Sequence, residues 1–176
     1  TFVPFKKGYF YGGIEGLYTN PWLYICDDAD WSFYRSRYDL IKNTNVPVHT
    51  WVGSPYGPDT LGFSGKAGYE VVSQWAAHFS YKTITRGEHS FALFSLYDAS
   101  GKNNYYPSSV EEATQKSPTG IAEVSHSFTV SGSYSPLPWI DISSQVGYTV
   151  VSNSNHVENL TLQGFEFMLS CTISLP

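Results

Sequence analysis

Ala122-Glu-Val-Ser-His-Ser-Phe-Thr-Val-Ser-Gly-Ser-Tyr134 is the stretch on which the fold turns. Ala122, Val124, His126, Phe128, Val130, Gly132 and Tyr134 alternate with Glu123, Ser125, Ser127, Thr129, Ser131 and Ser133. Only an extended backbone, whose successive side chains point to opposite faces, turns such a period of two into one apolar and one hydroxyl-rich surface. The alternation resumes beyond the turn Ser135-Pro136-Leu137-Pro138. There Ile140, Ile142, Val146, Tyr148 and Val150 oppose Asp141, Ser143, Gln145, Gly147 and Thr149, and the two runs form a hairpin.

Working outward, a second hairpin joins Leu61, Phe63, Ala67, Tyr69 and Val71 to Trp75, Ala77, Phe79 and Tyr81. A last strand sets Phe165, Phe167, Leu169, Cys171, Ile173 and Leu175 against Glu166, Ser170, Thr172 and Ser174. Leu160 and Leu162 fall in the opposite phase, so a bulge is expected at Gly164. The first strand is expected over Gly8 to Thr19. Residues 22–53 read either as one long strand plus a loop, or as a strand, the acidic turn Asp27-Asp28-Ala29-Asp30 and two further strands. A conservative count is seven strands in a single domain over 1–176.

Connections alternate in length: short at Asn20-Pro21, Ser73-Gln74 and 135–138, long across 41–58 and 88–120, and medium across 152–157. Short turns on one rim and long loops on the other are the pattern of outer-membrane β-barrels, whose short side is periplasmic. A Tyr followed by a Trp accompanies each short turn: Tyr18 and Trp22, Tyr69 and Trp75, Tyr134 and Trp139. If those six residues share one level, they form an aromatic girdle at a membrane interface.

Composition narrows the classes. The 176 residues are 41% hydrophobic and 17% aromatic, which excludes disorder, and only 14% charged, below the roughly 25% of a soluble domain. The net charge of −5 offers no basic footprint for nucleic acid. There is no run of about 18 apolar residues, which leaves strands of about 9–11 residues as the means of crossing a bilayer. Glu15, Lys66, Glu70, Lys82, Arg86, Glu123, Asp141 and Glu166 all fall on the polar face, as lipid on the other face requires. A soluble β-sandwich, such as a secreted carbohydrate-binding module, alternates in the same way with its apolar face turned inward. Strand length, rim asymmetry and clustered aromatics favour an all-β, antiparallel, up-and-down transmembrane barrel in a bacterial outer membrane. The odd strand count and an outward N-terminus make it the C-terminal part of a larger barrel, completed by an upstream segment or a second chain.

The segment Glu15-Gly-Leu-Tyr-Thr-Asn-Pro-Trp-Leu-Tyr24, followed by Gly53-Ser-Pro-Tyr-Gly-Pro-Asp59, resembles Wzi-like capsule-assembly outer-membrane proteins. Those carry an E-Y-T-x-x-x-P-[WY]-x-Y segment and then P-L-G-x-[ND]. Glu15, Tyr18, Thr19, Pro21, Trp22 and Tyr24 match the first, with Glu15 two residues further out, and Pro55, Gly57 and Asp59 match the second. The resemblance covers about a quarter of the chain. It implies a large barrel with lectin-like binding of surface polysaccharide and no catalytic residues. The ending Ile-Ser-Leu-Pro176 departs from the terminal Phe or Tyr of many barrels.

The sequence holds no metal or hydrolase motif, and no cofactor is expected. His126 falls on the apolar face, His78 on the polar face, and His49, His89 and His156 in loops, where a Ser-His-Asp site of a barrel hydrolase would have to use one of them. Asp27, Asp28 and Asp30 lack the glycine and closing glutamate of a calcium loop and read as a solvated turn. Asn159-Leu-Thr161 is an incidental sequon. Cys26 and Cys171 are either free thiols or one bridge, with free thiols favoured. Trp31, Tyr34, Trp51 and Tyr56 are the candidate saccharide-stacking residues, because aromatic faces near loops pack against sugar rings. The expected function is therefore non-enzymatic: binding or passing a polar ligand such as a surface polysaccharide.

Overall fold

The computed structural model of the chain describes residues 2–23, 34–39, 44–51, 54–89 and 109–174, the side chains of 34–39 and 44–51 excepted. The elements in order are β1 (Phe2–Phe5), β2 (Gly8–Thr19), β3 (Tyr34–Asp39), β4 (Thr44–Trp51), β5 (Thr60–Val71), β6 (Trp75–Arg86), the short helix α1 (Val110–Ala113), β7 (Glu123–Leu137), β8 (Ile140–Ser152), a 3-10 turn (Ser154–His156) and β9 (Thr161–Ile173). Seven of these strands form one antiparallel sheet in the order β1-β2-β5-β6-β7-β8-β9, and β3 and β4 pair separately. The main sheet is up-and-down, interrupted by one excursion through β3 and β4. It is not closed: β1 and β9 stand at opposite ends of the strand order.

The register fixes the faces. Tyr69, Ala77, Gly132 and Ser144 share one row, Ala67, Phe79, Val130 and Val146 the next, and Gly65, Tyr81, Phe128 and Tyr148 the next. The row of Ser64, Lys82, Ser127 and Thr149 belongs to the other face. All eight charged residues assigned to the polar face by alternation lie there, since each occupies the opposite parity to the apolar set on its strand. The seven-strand count holds for the sheet, with a different membership. β1, unread in the sequence, folds back on β2 through Lys6-Lys7, where Lys6 has a φ of 54°.

That hairpin corrects the rims. Lys6-Lys7, residues 72–74 and Pro138-Trp139 turn at one rim, while 20–59, 87–122 and 153–160 connect at the other. Asn20-Pro21 is thus the start of a long excursion on the long-loop rim, not a short closure. The loop expected across 41–58 contains β4, which also moves His49 from a loop to a strand. Of the two readings of 22–53, the described part contains a two-stranded hairpin; the acidic turn lies outside the described residues, as does Cys26. No bulge occurs at Gly164, which pairs in unbroken register with Thr149, so Leu162 sits on the polar face beside Val151 near the rim. The irregularity lies between Tyr134 and Leu137 instead. The strand near 9–18 is expected to take a further partner from outside these 176 residues; along its first half that partner is β1, where Tyr11 opposes Phe2 and Gly8 opposes Phe5.

The buried core is small. Val71, Ala76 and Ile84 are buried, as are Pro21 and Pro58 at the long-loop rim, whereas Phe10, Phe63, Phe79, Val130 and Phe167 stand exposed on the apolar face. Val130 is 56% exposed although it lies near mid-strand in a central strand.

Candidate functional site: the polar face and its long-loop rim

Three parts of the sheet carry the polar and aromatic residues of interest. The first is the middle of the polar face, a depression of about 550 Å³ over β2, β5, β6 and β7, lined by Glu15, Ser64, Lys66, Ser80, Lys82 and Ser127 among others. Alternation alone puts these side chains together, because every second residue of four adjacent strands points the same way. Ser127 and Thr149 hydrogen-bond to each other at 3.1 Å. Towards the long-loop rim the depression continues into a smaller one of about 230 Å³ that includes Glu15, Lys82 and Tyr56. The Lys82 ammonium lies 5.9 Å from the centroid of the Tyr56 ring, within reach of a cation–π attraction.

The second part is a knot at the long-loop rim. Asp59 is fully buried with a φ of 54°, a left-handed conformation that Asp tolerates better than most residues. Its backbone N–H donates to Asn20 O at 3.1 Å and its carbonyl accepts from Gly87 N at 2.8 Å, which ties the end of β2 to the end of β6. Its carboxylate accepts from Thr119 N at 3.1 Å, from the Thr119 hydroxyl and from His89 N at 3.3 Å. Burial by itself would raise the Asp59 carboxyl. The hydrogen bonds from His89, Thr119 and Ser117 outweigh it and hold the group below its ordinary value of 3.8. Gly87 is required here, because a Cβ at that position would run into the Asp59 carboxylate and Thr119 N. Gly120, at φ +60°, turns the chain where a Cβ would meet the Glu88 side chain.

His89 joins this knot. Its Nδ1 lies 2.7 Å from Thr119 Oγ1 and 3.7 Å from Asp59 Oδ2. Here the hydroxyl and the carboxylate approach the same nitrogen, and the Thr119 hydroxyl gives its proton to Asp59. Trp22 packs edge-on against the imidazole, 4.3 Å between centroids, and donates its indole N–H to Glu112 O at 2.8 Å. His156 Nδ1 meets Ile121 O at 2.7 Å. On the apolar face His126 Nδ1 is hydrogen-bonded to Tyr81 Oη at 2.9 Å.

The third part is an aromatic row along the short-turn rim. Phe5 and Phe10 are 5.6 Å apart, Phe10 and Tyr69 4.7 Å, and Tyr69 and Trp75 5.3 Å, with Tyr134 opposite Trp75 in the register and Trp139 in the next turn. Tyr69, Trp75, Tyr134 and Trp139 therefore share a rim, as expected, and Phe5 and Phe10 join them. Tyr18 and Trp22 do not: Tyr18 pairs with Leu61 at the opposite rim and Trp22 follows it there. The expectation of one level for Trp22, Trp75 and Trp139 is corrected accordingly.

Of the four candidate stacking residues, Tyr56 overlooks the polar face. Tyr34 and Trp51 are opposed at one end of the β3–β4 pair, and their side chains, like Trp31 as a whole, lie outside the described residues. Cys171 is a free thiol exposed on the apolar face. No group of three or more His, Cys, Asp or Glu residues among those described is arranged to hold a metal ion. No family model, curated protein or solved structure matches the chain.

Proposed function

We propose that the chain forms part of a transmembrane β-barrel in a bacterial outer membrane, where it binds or passes a polar ligand such as a surface polysaccharide without catalysing a reaction. One observation carries the reading. The apolar face is exposed from Phe10 on β2 to Phe167 on β9, while the charges sit on the other face. Exposed apolar patches larger than a few hundred Å² are rare on soluble monomers, and hydrocarbon is the solvent in which such a face costs nothing. Length agrees. Strands of 12 residues are about 40 Å long at roughly 3.3 Å per residue, and at about 40° of tilt they span about 30 Å, the thickness of a bilayer core.

Closure follows from the same physics. Among the described residues no strand pairs with the outer edge of β9, or with the Gly13–Thr19 stretch of β2 on its edge away from β5, and unpaired backbone groups in hydrocarbon cost several kcal/mol each. Further strands, from another segment or a second chain, would complete the barrel. The polar ligand is supported by the hydroxyl-rich face with Tyr56 above it, and a surface polysaccharide by the resemblance of the Glu15–Tyr24 and Gly53–Asp59 segments to Wzi-like proteins. Membrane fractionation tests the reading: the protein is expected in the pellet after a carbonate wash and in solution only with detergent. Recovery as a soluble monomer without detergent would replace it with a secreted β-sandwich carbohydrate-binding module.

A further inference from the structure

We propose that the depression on the polar face is an anion-recognition subsite in which Lys66 and Lys82 hold the carboxylate of a hydroxylated ligand. It rests on the proposed function in one respect, that this face is the one a polar ligand meets. Lys66 opposes Ser80, and Lys82 lies two residues further along that strand, which places the two lysines on a diagonal about 7–8 Å apart. That spacing lets two flexible ammonium groups converge on the two oxygens of one carboxylate.

Apart from Glu15, the acidic groups nearest the lysines are engaged. Glu70 accepts from Tyr9 Oη at 2.7 Å, Glu123 pairs with Arg86 at 3.7 Å and accepts from Asn155 N at 2.9 Å, and Glu166 lies 3.4 Å from Gln145 Nε2. Neither Lys66 nor Lys82 has a carboxylate within ion-pair distance among the described residues. Two like charges on a diagonal repel each other unless an anion comes between them, so an occupant is stabilised by both. Hydroxyls complete the subsite: Ser80 flanks Lys66, Ser64 and Ser127 flank Lys82, and Tyr56 covers the rim side.

Glu15 sets the orientation. It opposes Ser64, which opposes Lys82, so it stands two strands and about 10 Å from that lysine, and it lies on the diagonal of Lys66, about 7–8 Å from it, so a bound carboxylate is held on the Lys82 side. A ligand therefore turns its carboxylate towards β5 and β6 and a hydroxyl towards β2.

The test uses the full chain in mild detergent and two probes of equal length, trigalacturonate and maltotriose, with binding measured by calorimetry. The acidic sugar is expected to bind about ten-fold tighter or more, the scale of one charge-assisted hydrogen bond, and to weaken as salt rises from about 50 to about 500 mM. The K66Q/K82Q double variant is expected to lose that preference, and K66R/K82R to keep it. Equal affinity for the two sugars in the unaltered protein overturns the subsite, as does a preference that K66Q/K82Q leaves intact. A protein that pellets with membranes yet binds neither sugar overturns the subsite and leaves the membrane reading standing. A soluble protein that prefers trigalacturonate does the reverse.

Discussion

The two faces of the sheet are built by the same strands and obey opposite rules. On one, Phe79, Val130, Val146 and Phe167 stand exposed with few polar interruptions, and His126 there hydrogen-bonds Tyr81 through Nδ1. On the other, Ser80, Ser127 and Thr149 surround charged groups. A soluble protein would hide the first face and wet the second. Here both are open, and under the proposed membrane reading they meet different solvents, hydrocarbon on one side and water on the other. The difference teaches that burial within the chain does not mark out its apolar face, whose contacts the proposed function assigns to lipid.

Neighbouring residues on β7 break the comparison most sharply. Val130→Arg places a charge on the exposed apolar face near mid-strand and is expected to destabilise folding into lipid by about 2–4 kcal/mol, whereas Ser131→Arg, one residue on, should cost well under 1 kcal/mol. Unfolding by guanidinium in lipid vesicles measures both. Equal losses would mean that the two faces meet the same solvent.

A smaller effect is expected at the long-loop rim, where polar contacts hold the structure. Asp59→Ala leaves Thr119 N, the Thr119 hydroxyl and His89 N without their acceptor and is expected to cost about 2–3 kcal/mol. The sign of its pH dependence follows from the carboxyl's position below its ordinary value. Stability from Asp59 is fully present above the unfolded value near 3.8 and is lost as pH falls through the lower folded value. The gap between the unaltered protein and Asp59→Ala should therefore be constant at neutral pH and close below about pH 4. A gap that widens on acidification would contradict the knot as described.

Strand order around β5 to β9 and the division of charges were legible in the sequence because alternation is a local signal, repeated at Phe63, Phe79, Phe128 and Tyr148. What was misread depended on distant partners. Phe2–Phe5 is a four-residue strand, too short for its period to declare itself, and without it Asn20-Pro21 looked like a short turn and drew Trp22 into the wrong rim. The phase change at Leu162 suggested a bulge, but a rim position can carry a leucine on the polar face at 51% exposure without breaking register. Asp59, His89 and Thr119 are separated by about thirty residues each time, and only topology joins them. Gly87 and Gly120 were the available hints, since close backbone approach needs glycine.

The alternation itself can be read residue by residue in the protein's own solvent. With Cys26→Ser and Cys171→Ala as background, single cysteines from 124 to 133 on β7 would carry nitroxide labels in lipid vesicles, and their collisions with oxygen and with a water-soluble nickel chelate would be measured. The account predicts a period of two, with 124, 126, 128 and 130 oxygen-accessible and 125, 127, 129 and 131 nickel-accessible. Nickel accessibility on both sets, or no alternation at all, would contradict it.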